Sequence, residues 1–235
     1  MEEMTLMSEQ LNIQHSNEKV DKPSLLGIVT SPIETLERIK QQPKVLLPLI
    51  VVIIISSLAA YLSVLSVDYS IVEEELGAEG AAYVGAFTTV GALVSGIIGG
   101  LITLLISALI LFAIVKIAGK QIRFKQMFSM TVFISLVTSI GTLLNAIILY
   151  FVGGGDITNQ VFTSLNSIVG AEGALGSFLS SIEIFGIWGT ILTAFGLHHV
   201  GQLSKGASWT ISIVLFILGS LLLTLSGATQ SLVGA

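Results

Sequence analysis

The chain has 235 residues, of which 53% are hydrophobic and only 11% are charged, and its formal net charge is −5. Soluble domains carry a charge on about 25% of their residues, so this composition excludes a mostly water-exposed surface and predicts an integral membrane protein. The absence of cysteine excludes disulfides and thiolate-based metal or redox sites.

Residues 1–24 are polar, mixed in charge and without a sustained apolar period, which predicts a disordered cytoplasmic tail. They lack the basic start and the early apolar core of a signal peptide. A helix needs about 20 mainly apolar residues to cross the hydrocarbon layer of a membrane. Five segments meet this requirement and predict an all-α fold with five transmembrane helices: 45–67, 88–117, 128–152, 178–197 and 208–229.

The positions of the basic residues predict the direction of these spans. The ten lysines and arginines lie before the first span, around the loop between the second and third spans, or between the fourth and fifth spans. The loops 68–87 and 153–177 contain none. Because basic residues accumulate on the cytoplasmic side, we expect a cytoplasmic amino terminus and a short outer tail at 230–235. The domain between the two tails is expected to cover residues 25–229.

The charged segment before the first span predicts an amphipathic helix. Ser31 can cap this helix, Pro32 suits its first position, and Glu34 completes a capping-box pattern. Glu34 and Arg38 have the spacing of a helical ion pair. The apolar residues of the segment fall along one side: Ile33, Leu36 and Ile39. We therefore expect the helix to lie at the cytoplasmic interface, with its apolar side in lipid and its charges in water.

Three stretches of the chain resemble the Yip (Ypt-interacting protein) domain family. "SPIETLERIKQQPKVLLPL" resembles the amphipathic opening motif that leads through Pro-Lys into the first span. "GKQIRFKQMFSM" resembles the basic loop between the second and third spans, and "IEIFGIWGTILTAFGLHHVGQLSKG" resembles the fourth span and the turn after it. The resemblance covers about residues 25–225 and the five-span layout. The loop 153–177 and the pair His198–His199 depart from the family pattern.

The resemblance implies a five-helix membrane domain without an established catalytic centre. Eukaryotic relatives are linked to membrane traffic and small GTPases, and some bacterial relatives accompany ABC-type exporters, including those that remove toxic peptides. A bacterial member is therefore expected to be a non-enzymatic partner of such an exporter in the cell membrane. The alternative is a small-solute or ion-coupled transporter, which acts alone or as a homodimer.

Sequence motifs agree with a protein that is not an enzyme and has no cofactor. The chain contains no G-x-x-x-x-G-K-[ST], H-E-x-x-H or G-x-S-x-G motif, so ATP would have to be used by another subunit. We expect membrane lipids, exporter subunits or further copies of this chain as partners, and no nucleic acid. Adjacent histidines point in different directions on a helix, so His198 and His199 alone do not predict a metal site.

Two polar residues lie inside predicted spans. Glu183 is the carboxylate that lies well inside the fourth span, and Asn145 lies at a matching depth in the third span. Ionisable groups in a membrane are candidates for function by default. The pair predicts either a proton- or ion-coupling site, or a structural hydrogen bond near the outer surface.

Small residues repeat every four positions in the second span. One row contains Gly91, Ser95 and Gly99, and a parallel row contains Gly96 and Gly100. Small residues at this spacing allow helix backbones to approach closely. The pattern predicts a packing seam, and we favour a partner helix within the fold over one in another subunit.

Charged residues on the cytoplasmic side predict a surface for a partner protein or for lipid. The amphipathic helix contributes three of them and the basic loop contributes the other three: Glu34, Glu37, Arg38, Lys120, Arg123 and Lys125. Basic residues beside anionic lipid also hold the orientation of the spans.

Overall fold

The computed structural model describes residues 21–152 and 161–233, and all of its regular elements in these ranges are helices. Most of the predicted tail 1–24, and the end of the predicted tail 230–235, lie outside the described residues. The helices follow one another in this order: α1 Gly27–Thr30, α2 Pro32–Gln41, α3 Leu46–Leu65, α4 Ser70–Ile117, α5 Phe124–Val152, α6 Asn166–Val169, α7 Gly173–Ser181, α8 Ile184–His199 and α9 Lys205–Val233.

Within the described residues, four helices are long and apolar enough to cross a membrane: Leu46–Leu65, Ser70–Ile117, Phe124–Val152 and Lys205–Leu225. They overlap the predicted first, second, third and fifth spans. Helix α4 is much longer than a membrane requires and departs from helical geometry at Gly77, where φ is 74°. Before it, the backbone N–H of Ser70 donates to the Asp68 carboxylate, which lowers the pKa of Asp68 below its usual value.

The prediction of one continuous fourth span at 178–197 is wrong. The chain forms α7 and α8 there instead, with a break at Ile182 and Glu183. Glu183 has extended backbone angles and its side chain accepts a hydrogen bond from the Phe185 N–H, so it caps the start of α8. The sixteen residues of α8 are about 24 Å long, which is shorter than a hydrocarbon layer of about 30 Å.

Helix α5 lies at the centre of the fold and packs against α3, α4 and α8. Met127, Met130 and Phe133 on α5 are almost completely buried. Glycines let α8 approach α5 closely, because a Cβ at Gly141 would collide with Phe185 and a Cβ at Gly196 would collide with Met130. Helix α8 therefore runs antiparallel to α5, from the level of Gly141 to the level of Met130.

Helix α2 packs on the protein, so the prediction that its apolar side faces lipid is wrong. Leu36 and Ile39 are both 0% exposed and belong to the same core as α5 and α8, whereas Ile33 is 44% exposed. Pro32 occupies the first turn as expected, but the Ser31 side chain makes no capping bond. The expected pair is present, with 2.7 Å between the Arg38 guanidinium and the Glu34 carboxylate.

Candidate functional site

Glu183 and Asn145 come together through Thr163, a residue of the loop before α6. The Thr163 hydroxyl donates to Glu183 Oε2 at 2.9 Å and accepts from Asn145 Nδ2 at 2.8 Å. Asn145 Oδ1 in turn accepts from the backbone N–H of Thr163 at 3.1 Å. The two predicted residues therefore form one network with a loop residue between them, and we name Glu183, Thr163 and Asn145 the outer network.

Backbone pairing holds this loop against the break between α7 and α8. The N–H of Leu165 donates to the Ile182 carbonyl at 2.9 Å, and the N–H of Ile184 donates to the Thr163 carbonyl at 3.3 Å. Ser164 and Glu183 form an isolated antiparallel bridge, and Ser164 is 4% exposed. These bonds use backbone groups that a continuous helix would pair internally, which explains why the helix is interrupted at Glu183.

Sequence reasoning missed Thr163, because nothing in its local sequence distinguishes it from other loop threonines. The sequence did contain one indication of such a partner, Glu183 itself, because a carboxylate inside a membrane needs hydrogen-bond donors. The outer network ties the loop before α6 to α5 and to the start of α8. No group of three or more histidine, cysteine or acidic side chains that could hold a metal occurs among the described residues.

Thr163→Val tests whether the outer network stabilises the fold. Valine has a similar shape but lacks the hydroxyl, so Asn145 and Glu183 each lose a partner. We expect destabilisation by about 1–3 kcal/mol, measured as a lower thermal transition in detergent. The control is Thr142→Val, because Thr142 is exposed and its hydroxyl bonds only to the Thr138 carbonyl in its own helix. Equal stability of the two variants would show that the outer network contributes nothing.

On the other side of the fold, the charged face of α2 is connected to the end of α8. The Glu37 carboxylate lies 3.2 Å from His199 Nδ1, and His198 Nδ1 lies 2.8 Å from the Leu203 carbonyl. The two histidines thus have separate partners, one on α2 and one in the turn before α9. This arrangement joins α2 to α8 and does not bring the two rings to a common ligand position.

Two residues at the start of α5 bind the chain that leads from α2 into α3. Gln126 Nε2 donates to the Lys40 carbonyl at 2.6 Å, and Ser129 Oγ donates to the Lys44 carbonyl at 2.6 Å. Gln126 Oε1 also accepts the N–H of Arg123 at 2.8 Å, which caps α5. Sequence reasoning missed both residues, although "RFKQ" carries the glutamine position of a capping box.

The six charged residues predicted as a surface divide into two groups. Glu34, Glu37 and Arg38 lie on α2, where the structure engages all three in ion pairs. The others lie in or beside the loop between α4 and α5, where Lys120 is half-buried and Arg123 and Lys125 are exposed.

The small residues of α4 do not all face the same environment. A Cβ at Gly96 would lie 3.7 Å from the Ala60 Cβ of α3, which is an ordinary packing contact. At Gly91, Gly99 and Gly100, a Cβ would meet no other helix within 4 Å in the described part of the chain. Gly91 and Ser95 are also exposed. Packing within the fold therefore accounts for Gly96, and the Gly91–Ser95–Gly99 row is left uncovered.

An open groove lies beside Gly96 and Gly100, between α3, α4 and α5. Its volume is about 240 Å³, and hydroxyl side chains from α5 line one wall, including Ser135, Thr138 and Ser139. Each of these three hydroxyls donates to a carbonyl in its own helix. The groove is therefore only weakly polar, and nothing in its lining selects a particular ligand.

Comparison with known proteins identifies the family of the chain. The Yip1 domain model matches residues 26–226, which is most of the chain. The chain belongs to the Yip1 domain family. It is also 37% identical over 227 residues to the membrane protein YknW of Bacillus subtilis (strain 168), a match that covers 94% of this chain and 97% of that protein. No solved structure matches the chain. The Yip1 domain thus includes the outer network, α2 and the start of α5.

Proposed function

We propose that this Yip1-domain protein is a non-enzymatic partner subunit in the bacterial cell membrane that assists an ABC-type exporter in the removal of toxic compounds or peptides. The observation that carries the proposal is the attachment of α2 to the helical core. Buried Leu36 and Ile39, the Glu37–His199 pair and the Gln126–Lys40 bond hold this helix against α5 and α8. The opposite face of α2 remains exposed. Such a face on a fixed helix suits the binding of a protein partner better than the role of a mobile lipid anchor.

The proposed topology has five spans, with the segment from α7 to α8 as the fourth. Several contacts support this choice. The start of α8 lies beside Gly141 of α5, and its end lies beside Met130 and the α2 helix. Helix α7 packs against α9 and adds nine residues before the break. Together α7 and α8 would be long enough to cross the hydrocarbon layer.

Exchange of the two charges at Glu34 and Arg38 tests the partner surface. The variant Glu34→Arg with Arg38→Glu keeps the net charge and an ion pair at the same spacing. It does not alter Leu36, Ile39 or the Glu37–His199 pair. We expect normal abundance and thermal stability, together with loss of an ABC-type subunit that copurifies with the wild-type chain from mild detergent. Copurification that is equal for both proteins would contradict a role for this face.

The second candidate is a homodimer. It would act either as a transporter or as the form of the protein that binds a partner. It is favoured by Gly91 and Ser95, which are exposed on α4, and by Gly99, where a Cβ would meet no other helix within 4 Å in the described chain, since uncovered small residues allow a second helix to approach. The chain has no cysteine, so Ser95→Cys introduces a unique thiol. Rapid disulfide formation between two Ser95→Cys chains in membranes supports this candidate, and crosslinking no faster than for Ile98→Cys rejects it.

A further inference from the structure

The structure brings basic residues from two distant segments to one place, which the proposed topology puts on the cytoplasmic side. Lys40 and Lys44 belong to the end of α2 and the linker to α3, whereas Arg123 and Lys125 belong to the start of α5. The hydrogen bonds of Gln126 with the Lys40 carbonyl and of Ser129 with the Lys44 carbonyl fix the two segments side by side. Arg123 immediately precedes α5, and its backbone N–H donates to Gln126 Oε1 at 2.8 Å, so it lies beside the same junction.

These positive charges are not neutralised by carboxylates in the described part of the chain. The ion pairs found there join Arg38 with Glu34 and Asp21, and His199 with Glu37. Lys44, Arg123 and Lys125 take part in none of them and are exposed. The amino terminus of α5 adds a positive partial charge at the same place.

The surroundings of this basic cluster identify lipid as its ligand rather than an acidic peptide. Directly after Lys44, α3 begins with Leu46 and Leu47, which are 73% and 63% exposed. Beside the start of α5, Phe124 stacks with Phe128 and contacts the edge of Phe112. Apolar side chains thus continue into the membrane directly below the charges. A phospholipid matches both features, because it joins an anionic headgroup to acyl chains.

We propose that Lys44 and Arg123, assisted by Lys40 and Lys125, bind the phosphate headgroup of an anionic phospholipid of the cytoplasmic leaflet, while its acyl chains lie along Leu46 and Leu47. This inference rests on the proposed topology but not on any exporter partner. The bound lipid would bridge the α2–α3 linker and α5, and it would thereby reinforce the attachment of α2.

Thermal unfolding of the purified protein in a zwitterionic detergent tests the proposal, with phosphatidylglycerol or phosphatidylcholine added. We expect phosphatidylglycerol to raise the wild-type transition and phosphatidylcholine to leave it nearly unchanged. In Lys44→Gln with Arg123→Gln, the phosphatidylglycerol needed for half of the effect should increase on the order of tenfold. Lys205→Gln removes a basic residue at the start of α9 and should respond as the wild type does.

Two further measurements distinguish the binding of lipid from the binding of free anions and from damage to the fold. Inorganic phosphate at the same concentration should give no shift, because it offers no acyl chains. The charge-preserving variant Lys44→Arg with Arg123→Lys should retain the wild-type response. Equal responses of the wild type and the double glutamine variant, or an equal effect of inorganic phosphate, would overturn the proposal. No partner protein is present in these unfolding measurements. Their results therefore bear only on lipid binding, and the exporter proposal is tested separately by copurification.

Discussion

Gly141→Leu should destabilise the protein strongly, by about 1–3 kcal/mol or more. A Cβ at this position would already collide with the Cβ and ring of Phe185, close to the α8 backbone. A leucine must therefore push α8 away from the central helix α5. We expect low yield and a thermal transition in detergent that is far below that of the wild type.

Gly91→Leu is the matched control for this substitution. It adds the same side chain to another transmembrane glycine, but a Cβ at Gly91 meets no other helix within 4 Å in the described chain. Its purified monomer should keep a nearly normal thermal transition. A normal thermal transition of Gly141→Leu would contradict the α5–α8 contact, and a transition of Gly91→Leu as low as that of Gly141→Leu would contradict the open surroundings of Gly91.

Leu36→Asp should detach α2 from the rest of the protein. Leu36 is 0% exposed, so the variant places a carboxylate without a partner in an apolar site, at a cost of several kcal/mol. The helix can avoid this cost only by leaving α5 and α8. We expect rapid proteolytic cleavage near residues 41–45, together with loss of the interaction between Glu37 and His199.

Ile33→Asp on the same helix distinguishes an α2 that packs on the protein from an α2 whose apolar side lies in lipid. If the apolar side of α2 lay in lipid, aspartate at position 33 or 36 would cause similar damage. In the structure Ile33 is 44% exposed while Leu36 is buried, so Ile33→Asp should leave α2 resistant to protease. Similar cleavage of Ile33→Asp and Leu36→Asp would indicate instead that α2 is an anchor in the lipid.

The sequence predicted features of the fold that depend on local composition and spacing. Apolar length located the four long helices, and the spacing of Glu34 and Arg38 predicted their ion pair. The pattern of α2 placed Leu36 and Ile39 on one side of the helix, and both are buried, whereas Ile33 of the same predicted stripe is 44% exposed. It could not show what covers the apolar side, because protein and lipid are equally apolar surroundings for Leu36 and Ile39.

Features that depend on contacts between distant residues were not predictable in this way. The break at Glu183 requires backbone bonds to Thr163 and Leu165, about twenty residues earlier in the chain. The periodicity of α4 predicted a packing seam there, whereas α5 and α8 approach each other at Gly141, Gly189 and Gly196, which do not form a four-residue repeat. A single glycine is informative only when the side chain opposite it is known.

Cysteine labelling tests the proposed topology, in which the segment from α7 to α8 crosses the membrane as the fourth of five spans. The chain has no cysteine, so Glu172→Cys before α7 and Ser204→Cys after α8 each provide a unique thiol. Glu75→Cys and Gln121→Cys serve as the outer and inner references. In intact cells, a membrane-impermeant maleimide should label position 172 readily and position 204 only after permeabilisation. Labelling of both positions from the same side would contradict the five-span account.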